Sequence, residues 1–178
     1  MIIKAYQTLE DLNNKDYIEK NGPFKCNHAR AWLDDGYYFW DTKLDWAHDW
    51  GEFAYKKSGK DYTITETELD LNNKCFDLVG SVEHQSTMVE IFEVFQQSGK
   101  IKKKKEETLA NAIRFMKLNK IFDFYSIRSA DKRGSIRIYY RYDHYNIGKE
   151  FVTLNERTQV CVINKKEVIL QPLKVIYP

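Results

Sequence analysis

Two stretches, far apart in the chain, hold the side chains best suited to chemistry. The first, GYYFWDTKLDWAHDWGE over residues 36–52, places six aromatic side chains and one histidine in seventeen positions. The second, NERTQVCVIN over residues 155–164, sets the carboxylate of Glu156 and the amide of Gln159 at the entrance to an apolar run. Taken alone, each has an ordinary explanation: a strand and a helix packing their rings together, and a carboxylate left in water. Aromatic residues make up 15% of the chain, which implies a ring-rich core or a ring-lined cleft.

Other familiar chemistries find no support. The four histidines, His28, His48, His84 and His144, never fall at metal-site spacing with another His or Cys, so no metal is expected. There is no phosphate-cradling glycine loop, no Gly-x-Ser-x-Gly elbow and no H-E-x-x-H. Three cysteines, Cys26, Cys75 and Cys161, are an odd number without paired spacing, which suggests reduced thiols in a cytoplasmic protein. A formal charge of +2 from 28 basic and 26 acidic residues gives the whole molecule no field for nucleic acid. Five lysines in the six positions 100–105 form a local basic run, read as a solvated linker and helix start. Nucleic-acid binding through Lys102 to Lys105 would show affinity that falls steeply with salt. No leader segment and no apolar run of about 18 residues is seen, so no membrane association is expected.

The 178 residues are enough for one well-buried core and too few for two ordinary domains, so one domain over 1–178 is expected. MIIKAYQTL reads as a strand, followed by looser structure through NGPFKCNHAR. YYFW reads as a strand. Asp41 or Thr42 then caps a helix with Trp46 and Trp50 one turn apart, ended by Gly51. Alternation in DYTITETELDL gives a strand over 62–70, and CFDLVG a short extended segment. Thr87 and Glu90 have capping-box spacing for a helix whose inner face carries Met88, Ile91, Phe92 and Phe95. A second helix buries Leu109, Ala112, Ile113 and Met116. GSIRIYYRYD, QVCVIN and EVILQPLKVIY read as further strands. Strands at both ends with helices concentrated between them indicate an α+β domain.

In this order the two stretches resemble a bacterial ADP-ribosyltransferase-like family within the poly(ADP-ribose) polymerase and diphtheria-toxin-like fold. The matching residues are Gly36, Tyr38, Phe39 and Trp40, then Ala47, Trp50 and Gly51, then Gln159, Cys161 and Val162. The resemblance implies mixed, mostly antiparallel sheets with helices inserted between strands around an NAD-type cleft. It implies NAD as substrate, with ADP-ribose transferred to a protein or nucleic-acid acceptor or NAD hydrolysed. A toxin or phage-defence effector, with an antitoxin as partner, fits that activity. In this fold the first strand carries a histidine, the next motif a tyrosine and a late strand a glutamate. Tyr38 matches the tyrosine and Glu156 the glutamate. Residues 5–8 read Ala-Tyr-Gln-Thr where Tyr-His-Gly-Thr is the pattern, so Tyr6 or Gln7 stands in for the histidine. That departure carries the alternative, a noncatalytic ligand- or protein-binding module on the same fold.

The implied chemistry gives each residue a role. Cleaving nicotinamide from ribose builds positive charge on the sugar, which a carboxylate at Glu156 would stabilise in a dry cleft. Tyr38 would stack on the flat cationic ring, with Trp40 on the same strand face and Phe39 turned into the core. Gly36 opens that strand. Glu156 and Gln159, three apart, point to opposite faces of a regular strand; Glu156 is the expected cleft residue, or Gln159 if the strand begins there. His28 and Arg30 lie in a loop that could fold over the cleft. Arg128 either holds a pyrophosphate through its planar fork or makes a structural salt bridge.

Overall fold

The computed structural model describes residues 1–26, 31–72, 74–99, 108–131, 136–140, 150–154 and 156–178. The chain runs β1 (Ile2–Glu10), α1 (Lys15–Asn21), β2 (Tyr37–Asp41), α2 (Leu44–Ala54), β3 (Tyr62–Asp70), β4 (Cys75–Asp77), α3 (Val82–Gln97), α4 (Leu109–Leu118), β5 (Ser126–Asp131), β6 (Ile136–Tyr140), β7 (Glu150–Leu154), β8 (Arg157–Val162), α5 (Lys165–Val168) and β9 (Lys174–Tyr177). Seven strands form one sheet in the order β4-β5-β8-β2-β1-β3-β9, and β6 pairs with β7 separately. Among the described residues only β4 and β5 run parallel; the other pairs are antiparallel. The architecture is α+β.

The sheet cannot be flat. Asp70 ends β3 and Cys75 begins β4, and the five chain steps between them reach at most about 18 Å. Five strand positions separate β3 from β4 in the sheet, about 24 Å if it were planar. The sheet therefore curls, and its concave face gathers Ile3, Ala5, Phe39, Leu69, Leu71, Cys75, Val160 and Val162 into one core plugged by Val168 of α5. On the convex face α2 seats Ala47 against Tyr6, Trp40, Tyr62 and Ile64. Beside it, α3 and α4 bring Met88, Ile113 and Met116 onto Phe76, Ile127 and Cys161.

The seam of the curl lies between β1 and β2, which pair only at Ala5–Asp41 and Tyr6–Trp40. Just past it, the Gln7 side chain does what a backbone would. Its Nε2 donates to Phe24 O (3.0 Å) and weakly to Tyr38 O (3.4 Å), while its Oε1 accepts from Phe24 N (3.1 Å). A primary amide has the donor and acceptor of a peptide group, so it can continue the pairing where the strands diverge.

Several elements differ from the sequence reading for identifiable reasons. Helix α2 runs past Gly51 to Ala54 without a side-chain cap at its start. Gly51 is required by packing instead: a Cβ there would collide with the Tyr62 ring. Helix α3 begins at Val82, where Ser81 Oγ accepts from His84 N (3.2 Å), while Thr87 bonds back to Glu83 O (3.0 Å) inside the helix. The segment after Asn14 forms α1, and EVIL is split between α5 and the approach to β9.

Both rims of the sheet are tied by side chains. On β9, Val175 N donates to Glu19 Oε1 of α1 at 2.8 Å; on β4, Asp77 N donates to His84 Nδ1 of α3 at 3.0 Å. Removing the first acceptor leaves a partly buried N–H unpaired. Glu19→Ala should cost about 1–2 kcal/mol in urea denaturation at neutral pH, whereas Glu19→Gln, which keeps an oxygen there, should retain most of the stability.

Candidate functional site

Strand pairing assembles residues from four distant segments into one lateral row. Tyr6 on β1 lies opposite Trp40 on β2, Trp40 opposite Gln159 on β8, and Gln159 opposite Ser129 on β5. Directly paired residues share a sheet face, so the four side chains stand in line on the convex side. Above the row, the Arg157 guanidinium lies 4.4 Å from the Trp40 ring and 5.8 Å from that of Trp46, a cation–π arrangement. Trp32 Nε1 donates to Gln159 Oε1 at 2.7 Å. Gln159 is only 9% exposed, and among the described residues no partner meets its Nε2. A nearly buried amide with its donor end unused, bordered by indole rings, is suited to grip a flat ligand bearing a carbonyl or ring nitrogen.

Tyr6 and Trp40 thus join Gln159 in the row, while the other expected residues are spent elsewhere. Burial pushes the Tyr6 phenol up, with nearby Glu66 adding to the shift. Gln7 is 5% exposed and consumed by the seam. Tyr38 accepts from Leu33 N at 2.8 Å and donates to Asp34 O at 2.7 Å, so its hydroxyl serves the preceding loop. Burial raises its phenol far above the ordinary range, and the neighbouring Cys161 thiol is pushed up to about 12 by the same cause. Gly36 permits close approach, since a Cβ would strike Cys161 Sγ and lie 2.8 Å from Val162 O. His28 and Arg30 fall outside the described residues.

Glu156 does not meet Tyr38. It is exposed and precedes β8, whereas the residue opposite Tyr38 is Cys161, five positions on and about 16 Å along the strand. The strand begins at Arg157, and Gln159 rather than Glu156 shares the face of Trp40. Arg128 is likewise committed. On the concave face its Nε contacts Asp41 Oδ2 at 2.7 Å and its Nη1 reaches both oxygens of Asp77 at 3.3 Å. A pyrophosphate would have to displace two carboxylates.

The loop beneath the row is locked by an ion cluster that the sequence did not reveal. Asp34 is 6% exposed, with a left-handed φ of 70°. Its Oδ1 accepts from Arg114 Nη2 and its Oδ2 from Lys117 Nζ, both at 2.8 Å. Its own carbonyl takes the Tyr38 hydroxyl. Trp32 and Asp34 stand two residues apart just before GYYFW, and Arg157 alternates with Gln159; only that proximity could have marked them. No family model, no curated protein and no solved structure matches this chain.

Two outcomes follow. Burial alone would raise the Asp34 carboxyl, but the hydrogen bonds and charges of Lys117, then Arg114, outweigh it and hold the pKa below the ordinary value. A carboxyl depressed by folding contributes stability above its unfolded pKa, near 4, and loses it as pH falls through the lower folded value. The stability gap between wild type and Asp34→Asn should therefore be full at pH 7 and shrink on acidification below about pH 4 in urea titrations. Tyr38→Phe should cost about 1–3 kcal/mol by the same method, because Leu33 N loses its acceptor in a half-buried loop.

Proposed function

We propose that this chain is a noncatalytic binding module on an ADP-ribosyltransferase-like sheet, holding NAD or a part of it against the Trp40–Gln159 row. The reading is supported by the adjacency of β1, β2 and β8, the strands that carry the three motifs of the resemblance. The observation that favours it is that the β8 residue opposite Trp40 is the neutral amide Gln159. Cleavage of the nicotinamide bond needs a fixed negative charge beside the ribose, and an amide supplies none. What the amide does supply is a directed hydrogen bond, which fixes a ligand without favouring a charged transition state over its ground state. In place of a histidine the first strand has Tyr6, a phenol whose burial keeps it protonated, and Gln7, whose amide is held in the seam.

Titration with NAD should produce a saturable change in tryptophan fluorescence, since Trp32, Trp40 and Trp46 border the row. Incubation with labelled NAD should release no nicotinamide. Gln159→Ala should weaken binding about five- to tenfold, the worth of one neutral hydrogen bond. Nicotinamide release that disappears in Glu156→Gln would restore the transferase reading. Absence of any fluorescence response to NAD, ADP-ribose or nicotinamide would remove this ligand class.

A further inference from the structure

A cavity of about 470 Å³ opens beside the outer edge of β4, and no member of the Trp40–Gln159 row lines it. Its walls include Leu71, Lys74, Cys75, Asp77, His84 and Phe124. We propose that this cavity is a separate binding site for a small aromatic carboxylate.

The argument begins with His84. Its Nδ1 accepts the Asp77 backbone N–H at 3.0 Å, so that nitrogen carries no proton and the single proton of the neutral ring sits on Nε2. The ring is wedged against Phe76 and Phe124, with centroids 5.2 and 5.3 Å away, which fixes the donor's direction. Among the described residues Nε2 meets no partner.

The lining carboxylate is largely engaged. Asp77 Oδ1 accepts from Val79 N (2.9 Å) and Gly80 N (3.0 Å), and both its oxygens face Arg128 Nη1 at 3.3 Å. Asp77 therefore has limited acceptor capacity left for a ligand, and Arg128, which it shares with Asp41, offsets part of its charge. Lys74 adds an ammonium whose side chain is 39% exposed, bonded to Asp123 at 2.6 Å. Burial raises the Cys75 thiol, which keeps it protonated and makes it a polarizable wall instead of a nucleophile.

His84 Nε2 and the Lys74 ammonium can both donate to an anionic oxygen, and the Leu71 and Phe124 walls select an apolar, flat body. The volume lies in the lower part of the range for small-molecule sites and suits a single ring. A bare phosphate would waste the apolar walls, and among the described residues no Arg lines the cavity.

Benzoate is the probe, with benzyl alcohol as the neutral ring and acetate as the ringless anion. In NMR titrations of the full chain carrying ¹⁵N-histidine, benzoate should shift His84 Nε2 saturably, with a dissociation constant on the order of 1 mM. Both controls should bind about tenfold more weakly. His84→Phe and Lys74→Met should each weaken benzoate binding about tenfold; the second leaves the His84–Asp77 bond intact and keeps the test readable if the first fails to fold. No response of His84 to benzoate, or an equal response to benzyl alcohol, overturns the proposal. Tryptophan fluorescence with NAD reads the other site, so the two can fail independently.

Discussion

The register between β2 and β8 is the constraint on which the rest of the molecule depends. It places Trp40 opposite Gln159, Tyr38 opposite Cys161 and Phe39 opposite Val160. A slip of one residue would turn every side chain of β2 to the other face, sending Phe39 out of the concave core and Trp40 into it. Three local facts resist the slip. Gly36 allows the backbone to lie against Cys161 and Val162, which no larger residue could do. The Tyr38 hydroxyl is pinned at both its donor and acceptor functions. Phe39 and Val160 are essentially inaccessible to water.

Each face of the sheet also carries a charged knot. On the convex side Asp34 answers two cations of α4; on the concave side Arg128 answers two carboxylates from different strands. The two are opposite in composition, one anion with two cations and one cation with two anions. Ion clusters built around a buried charge gain little over well-packed apolar groups, yet losing the partners of that charge leaves it stranded, which is the costly outcome. Their value here is geometric: Asp34 ties the loop before β2 to α4, and Arg128 bridges β2 and β4 across the curl. This reading also explains why Arg128, a chemically plausible phosphate ligand from its sequence context, is engaged in holding strands together.

Much of the frame was legible because alternation is a strong signal. The strand over 62–70 coincides with β3, and MIIKAYQTL with most of β1. Helix limits were less visible: Ser81 has the same capping chemistry as Thr87, and only packing of the first turn on β4 decides between them. Gly51 looked like a terminator because glycine often ends helices, while its actual role is to admit a tyrosine ring from β3. The site was legible in its strands more than in its side chains. Trp40, Tyr6 and Gln159 could be nominated from their segments, but the choice between Glu156 and Gln159 turned on where β8 begins, two residues that local propensity does not resolve. The Tyr38 hydroxyl and the Gln7 amide are taken up by loop backbone for a common reason. A polar group near a motif looks available until the loop that consumes it is seen, and the loop partners Leu33, Asp34 and Phe24 carry no mark of that duty.

The side-chain acceptors at Val175 and Asp77 have a consequence for assembly. A foreign strand laid along either outer rim would find one backbone donor already engaged, by a carboxylate on one side and an imidazole on the other. Cross-β stacking and open-ended fibre growth depend on an uninterrupted ladder, and here each ladder is broken at a fixed rung. At these two rims, backbone pairing with a second strand would first have to displace a side chain.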